Sequence, residues 1–249
     1  MPYLMGGFPD LEGSRAVAEA YADAGADLVE LGIPFSDPLA DGPVIHAAAT
    51  AALAAGASFE GVMSVCAAIS DRVPVVPMCY SNMIFARGPE AFATVLASAG
   101  AAGAIVPDLP PEEAGTIGAA LGAAGLALVP LIAPTTPAER RRAICAQATG
   151  FIYLVSDTRV TGERDSLPPG LAELIAAVRA DAELPVAVGF GIGTPEQARA
   201  VGASADGVII GTRLVRAVAE ASDAESAAGA VATFVRDARE AMAAGHPIE

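Results

Sequence analysis

The chain of 249 residues is poor in histidine, cysteine and positive charge. Its two histidines, His46 and His246, stand 200 positions apart in sequence, the second in the tail. This scarcity argues against a His-based triad or a multi-His metal site, and acid–base chemistry falls to carboxylates or tyrosines. The three cysteines, Cys66, Cys79 and Cys145, are odd in number, widely spaced and without a CxxC pair. Neither a disulfide framework nor a zinc site is indicated, and a reducing cytoplasm fits. Lysine and arginine total 14 against 29 acids, a net charge of −15 and a pI near 4.4. That balance argues against nucleic acid or an anionic membrane as partner. Met1-Pro2 leads into apolar sequence without a basic segment, so no secretory signal is expected. A charge-free stretch of membrane length, Gly115 to Pro134, is broken by Gly125, Pro130 and Pro134. Gly125 reads as the C-cap of a helix ahead of a buried strand rather than as part of a membrane span.

Short apolar runs alternate with alanine-rich helical segments. Strands are expected at Tyr3–Met5 and within GADLVELGIP, VPVVPMCY, GAAGAIVPDLP, LALVPLIAP, GFIYLVS, LPVAVGFGI and GVIIGT. A helix follows the first from about Leu11 to Ala24, and the tail from about Ser226 to His246 reads as one more. Gly42-Pro43, Gly88-Pro89, Thr136-Pro137 and Thr194-Pro195 mark helix starts, since a missing N–H costs little in a first turn. Gly25, Gly100 and Gly125 close helices. Eight strand–helix units with right-handed crossovers imply a parallel sheet closed as a single-domain α/β fold, the (β/α)8 or TIM barrel, over residues 1–249. An open doubly wound sheet is disfavoured because strand one carries no GxGxxG.

Barrels of this kind place their chemistry at the C-terminal ends of the strands. Glu30 lies there in LVELGIPFSDPLADGP, inside an apolar run, where desolvation would let it both give and take a proton near neutrality. A strand-end glutamate paired with lysine or arginine is the alternative. Asp37 and Asp41 follow on the loop, beside prolines, where turn geometry competes with function. GFGIGTPEQ and GVIIGTRL each run from a strand end through glycine into a helix, after strands seven and eight, the usual phosphate position of this fold. The polar loop from Ser156 to Gly170 is long enough to act as a lid.

These motifs resemble the tryptophan synthase alpha chain family. ELGIPFSDPLADGP, PYLMGGFPD, MCYSN, PDLP, VTG, GFGIGTPEQ and GVIIGT carry the resemblance, in order, over essentially the whole chain. It implies a cofactor-free retro-aldol lyase that cleaves indole-3-glycerol phosphate to indole and glyceraldehyde 3-phosphate. Glu30 would be the acid–base and Asp41 the carboxylate on the indole N–H. Tyr153, Phe190 and Tyr80 would line the substrate pocket. Gly162, Gly191, Gly211 and Thr212 would hold the phosphate, and Arg159 and Thr161 would belong to the lid. Asp37, Asn82, Asp108 and Pro110 match positions facing a beta chain, which alone would carry pyridoxal phosphate. Arg159 stands where the family usually has glycine, which suggests weakened coupling to a beta chain, or a stand-alone indole-producing lyase. The chain also begins at strand one, without the family's extra N-terminal amphipathic helix, so an apolar patch is expected at the N-terminal face of the barrel. A catalytically weak subunit that binds the phosphate ligand and activates a beta chain is the competing function. Another phosphate-binding barrel, such as a thiamine-phosphate synthase or an isomerase of histidine synthesis, would satisfy the glycines but not the Glu30–Pro43 stretch.

Overall fold

The computed structural model describes residues 1–156, 168–189 and 191–244. Its strands are β1 (Tyr3–Met5), β2 (Val29–Gly32), β3 (Val75–Met78), β4 (Gly103–Ile105), β5 (Ala127–Val129), β6 (Leu131–Ile132), β7 (Ile152–Val155), β8 (Val186–Gly189) and β9 (Gly207–Val208). All pair in parallel, as one run from β1 to β5 and another from β6 to β9. The run LALVPLIAP, expected as one strand, is split into β5 and β6 by Pro130, which has no N–H to give to a ladder. β7 spans the break, since the Tyr153 N–H donates to the Pro130 carbonyl at 3.0 Å. At the other seam the Tyr3 N–H donates to the Ile210 carbonyl at 2.9 Å, and Pro2 bridges Ile210 in parallel. The result is eight staves closed into a (β/α)8 barrel.

The helices are α1 (Leu11–Asp23), α2 (Pro43–Ala54), α3 (Phe59–Ile69), α4 (Ser81–Arg87), α5 (Pro89–Ser98), α6 (Gly115–Ala123), α7 (Ala138–Gln147), α8 (Leu171–Asp181), α9 (Pro195–Gly202), α10 (Thr212–Glu220) and α11 (Ala224–Ala243). Pro43, Pro89 and Pro195 open their helices, and Pro137 immediately precedes α7. Helix α1 starts on Asp10, whose carboxylate accepts the Gly13 N–H at 2.7 Å, a side-chain N-cap. Gly25, Gly100 and Gly125 turn the chain out of α1, α5 and α6 at φ of +83°, +75° and +76°. The terminal helix α11 packs on α1, α9 and α10. Among the described residues no single helix is long and apolar enough to cross a membrane.

The twofold alternation of a strand decides which side chains meet the helices and which meet inside the barrel. In β2, Val29 and Leu31 join the core between strands and helices, so Glu30 points inward. In β7, Ile152 and Leu154 do the same, and Tyr153 joins the inner cluster with Val76, Ile105, Val129, Phe151, Ala187 and Ile209. Met1 and Leu28, half-buried, pack on that inner cluster beside the buried Phe151. The exposed large apolar side chains among the described residues are Leu11, Leu39, Leu53 and Phe85, all in segments that follow strand ends. None of these four belongs to the residues just ahead of a strand, where Met1 and Leu28 are half-buried against the inner cluster.

Candidate active site

Register brings the first functional group into place. Glu30 lies opposite Tyr3 of β1 and Val76 of β3, and only 1% of it is exposed. Among the described residues none of the ion pairs includes it. The pairing with lysine or arginine that a purely structural glutamate would need is thus missing from those residues. Burial pushes the Glu30 carboxyl up to about 8; the Met1 ammonium opposes this and Asp41 adds to it. A carboxylic acid at that value is protonated near neutrality and close enough to it to release the proton.

Asp41 stands on the loop after β2, partly exposed. Burial raises its carboxyl, while a hydrogen bond from Tyr80 and the nearby His46 pull the other way. The Tyr80 hydroxyl donates to Asp41 Oδ1 at 3.0 Å and accepts the Ala40 N–H at 3.1 Å. Tyr80, expected on the wall of the substrate pocket, stands behind Asp41 and is absent from the cavity lining.

Glu30 and Asp41 border one cavity at the C-terminal ends of the strands, together with Tyr3 and Tyr153. Gly191, Gly211 and Thr212 line it as well. Its remaining walls are largely apolar, with Ile45, Met78, Leu131 and Ile209 among them. Tyr3 is the site residue that sequence reasoning missed. The signal was present: Leu4 faces the helices, so its neighbours Tyr3 and Met5 must face the other way.

The two cavity tyrosines are seated alike. Each is level with the strand residue two positions before a glycine: Tyr3 with Glu30 ahead of Gly32, and Tyr153 with Ala187 ahead of Gly189. Each leans along the barrel until its hydroxyl occupies the space above that glycine. A Cβ added to Gly32 would lie 2.0 Å from Tyr3 Oη, and one on Gly189 would lie 2.5 Å from Tyr153 Oη.

The two helix starts offered for phosphate differ. In α9 the Thr194 hydroxyl accepts the Gln197 N–H at 3.2 Å, and Gln197 Oε1 accepts the N–H groups of Gly193 and Thr194 at 2.7 and 3.2 Å. This capping box consumes the donors an anion would use. In α10 the N-cap is Gly211, which offers no side-chain cap. Its orphan N–H groups and the positive end of its dipole belong to the helix start that borders the cavity.

Asp37, Asn82 and Pro110 are exposed, on the loop after β2, the first turn of α4 and the loop after β4. Asp108 is partly buried: Oδ1 accepts the Ser81 N–H and Oδ2 the Ser81 hydroxyl, both at 2.8 Å. Arg159, Thr161, Gly162 and Phe190 lie outside the described residues. Among those described, no group of three or more His, Cys, Asp or Glu side chains could hold a metal ion.

The family model for the tryptophan synthase alpha chain matches residues 1–243. The chain belongs to that family. A tryptophan synthase alpha chain from Prochlorococcus marinus is 48% identical over 225 residues, covering 89% of this chain and 82% of the relative. One from Gloeobacter violaceus is 46% identical over 244 residues, covering 97% and 88%. Among solved structures, Mycobacterium tuberculosis tryptophan synthase superposes with a TM-score of 0.89 at 36% identity, covering 100% of this chain and 92% of that one. The alpha subunit from Legionella pneumophila gives 0.86 at 37% identity, covering 98% and 92%.

Proposed function

We propose that Glu30 and Asp41 carry the alpha reaction of this family, the cleavage of indole-3-glycerol phosphate to indole and glyceraldehyde 3-phosphate. The chain is a carbon–carbon lyase. Breaking the bond from the ring to the glycerol side chain requires indole C3 to be protonated first, which turns the ring into an electron sink. Glu30 as the neutral acid gives that proton. Its carboxylate then takes the proton of the side-chain hydroxyl as the bond breaks, leaving an aldehyde and restoring the acid. Asp41 accepts the ring N–H and stabilises the positive charge that develops there in a low-dielectric site. Tyr153, Tyr3 and the apolar walls hold the ring. The start of α10, with Gly211, Thr212 and the facing Gly191, takes the phosphate. No step needs a cofactor; pyridoxal phosphate belongs to a beta chain.

The observation that carries this reading is the buried Glu30 carboxyl, held up to about 8, on the same cavity wall as Asp41. A subunit that merely bound the phosphate ligand and activated a partner would have no use for that pair. Asp37, Asn82 and Pro110, with the exposed Leu39 and Phe85, form the face offered to a beta chain, since the segments bearing them are joined through Tyr80 and Ser81.

The test is release of glyceraldehyde 3-phosphate from indole-3-glycerol phosphate, with and without a beta chain, with Glu30→Gln as blank. Glu30→Gln abolishes the rate. Arg159 in place of the family's glycine predicts little gain from a beta chain, and Arg159→Gly increases that gain. A trace rate that rises sharply on adding a beta chain to the unaltered protein sinks the reading of Arg159. A full rate in Glu30→Gln sinks the mechanism.

A further inference from the structure

Three consecutive strand ends are wired together behind Asp41. Asp108, after β4, takes both the N–H and the hydroxyl of Ser81 at 2.8 Å, which pins the first residue of α4. Tyr80 is the residue before it and the N-cap of that helix. Its ring lies 5.4 Å from that of Phe35 on the loop after β2. Its oxygen accepts the Ala40 N–H at 3.1 Å. With a lone pair used in that bond, the phenol proton is left to point at the remaining partner, Asp41 Oδ1, at 3.0 Å. A phenol has one proton to give, so the direction of this bond is settled by the neighbouring amide.

We propose that Tyr80 is a positioning residue for the reaction: locked as a donor by Ala40 and anchored through Ser81 to Asp108, it fixes the Asp41 carboxylate as an anion facing the substrate ring. This rests on the role given above to Asp41. A half-buried carboxylate left alone would turn toward solvent or take up a proton, and in either form it could not oppose a developing cation. The groups that face Asp41 are few. His46 on the first turn of α2 is the other favourable one; Glu30 and Tyr3 lie on the barrel side. The hydrogen bond from Tyr80 outranks His46 among the influences that favour the anion.

Tyr80→Phe removes one hydroxyl and keeps the ring on Phe35. The acidic limb of the kcat/KM profile moves up by about one pH unit, as expected for loss of one hydrogen bond to a charged acceptor. At neutral pH kcat falls about tenfold while KM changes less than threefold, because the lost interaction strengthens only as the ring becomes cationic. Asp108→Ala, which frees Ser81 but leaves the phenol in place, moves the limb in the same direction by less. A tyrosine that only filled space would raise KM and leave the limb where it was, and that outcome overturns the proposal. A readout independent of turnover is carboxyl 13C NMR of aspartate-labelled protein, with Asp41→Asn as the assignment blank. The Asp41 titration midpoint rises in Tyr80→Phe. An unmoved midpoint overturns the proposal even in a fully active enzyme. A raised midpoint in a protein inactive on indole-3-glycerol phosphate upholds the tether and refutes the reaction instead.

Discussion

Replacing Glu30 with glutamine keeps the shape of the side chain and removes its proton equilibrium, and the consequence reaches stability as well as rate. In the unfolded chain the carboxyl titrates at its ordinary value of 4.5; in the folded protein burial holds it at about 8. Between those values the native state keeps a proton that the unfolded state has released. Stability therefore falls as pH rises through that window, and the loss is complete above about pH 8. Each tenfold in proton affinity is about 1.4 kcal/mol, so the rise from 4.5 to about 8 amounts to about 5 kcal/mol. Glutamine escapes this loss. Any cost of seating its amide among Tyr3, Tyr153 and the apolar wall is the same at every pH and cancels when two pH values are compared. For a chain of this length 1 kcal/mol corresponds to roughly 2–4 °C in Tm. About 1 kcal/mol of it is already lost at pH 5, so the melting temperature of Glu30→Gln should gain roughly 8–16 °C on the wild type at pH 9 relative to their difference at pH 5. Thermal unfolding by circular dichroism at the two pH values is the assay. A Tm difference that stays constant between them, within about 2 °C, would mean that Glu30 titrates normally, and the acid–base role argued from its burial would fall with it.

Two other perturbations address the cavity. Gly32→Ala or Gly189→Ala drives a methyl into a tyrosine hydroxyl; each should cost about 1–3 kcal/mol and at least tenfold in kcat/KM as the ring is pushed into the cavity. Gly122→Ala, whose new Cβ meets nothing within 4 Å, should instead be stabilising by about 0.5–1 kcal/mol, as urea unfolding would show. Thr212→Val should raise KM for the phosphorylated substrate about tenfold with little effect on kcat, whereas Gln197→Ala should lower stability by about 1 kcal/mol and leave KM alone, since its helix start is closed by its own side chains.

Much of this arrangement is legible in the amino-acid sequence. The eight staves follow from apolar runs at regular spacing. Four of the helix starts follow from proline, and three helix ends from glycine. Glu30 stood out because a carboxylate flanked by Val29 and Leu31 must be either paired or working. The rest was hidden for physical reasons. The break at Pro130 lies in a run whose hydrophobicity never falters, so only the missing N–H betrays it. The Thr194-x-x-Gln197 spacing is a capping box in plain view, yet glycine followed by a helix reads equally well as an anion site until the donors are counted. Tyr80 is the hardest case. Its partner is 39 residues away on another loop, and no periodicity within either segment says that the two loops meet.

The seam between Tyr3 and Ile210 bears on how the protein is made. Of the eight joints in the barrel wall, this is the one between residues at opposite ends of the sequence. A ribosome adding about 5–20 residues per second completes Ile210 on the order of 10–40 s after Tyr3. Throughout that interval one edge of β1 lacks its neighbour, and Gly211 and Thr212 do not yet exist. If Gly211 and Thr212 take the phosphate as proposed, no nascent fragment holds the substrate, and the open edge is a standing invitation to pair with the wrong strand. The contacts that close the barrel are among the slowest to form, and the chain is most vulnerable to aggregation just before the wall is complete.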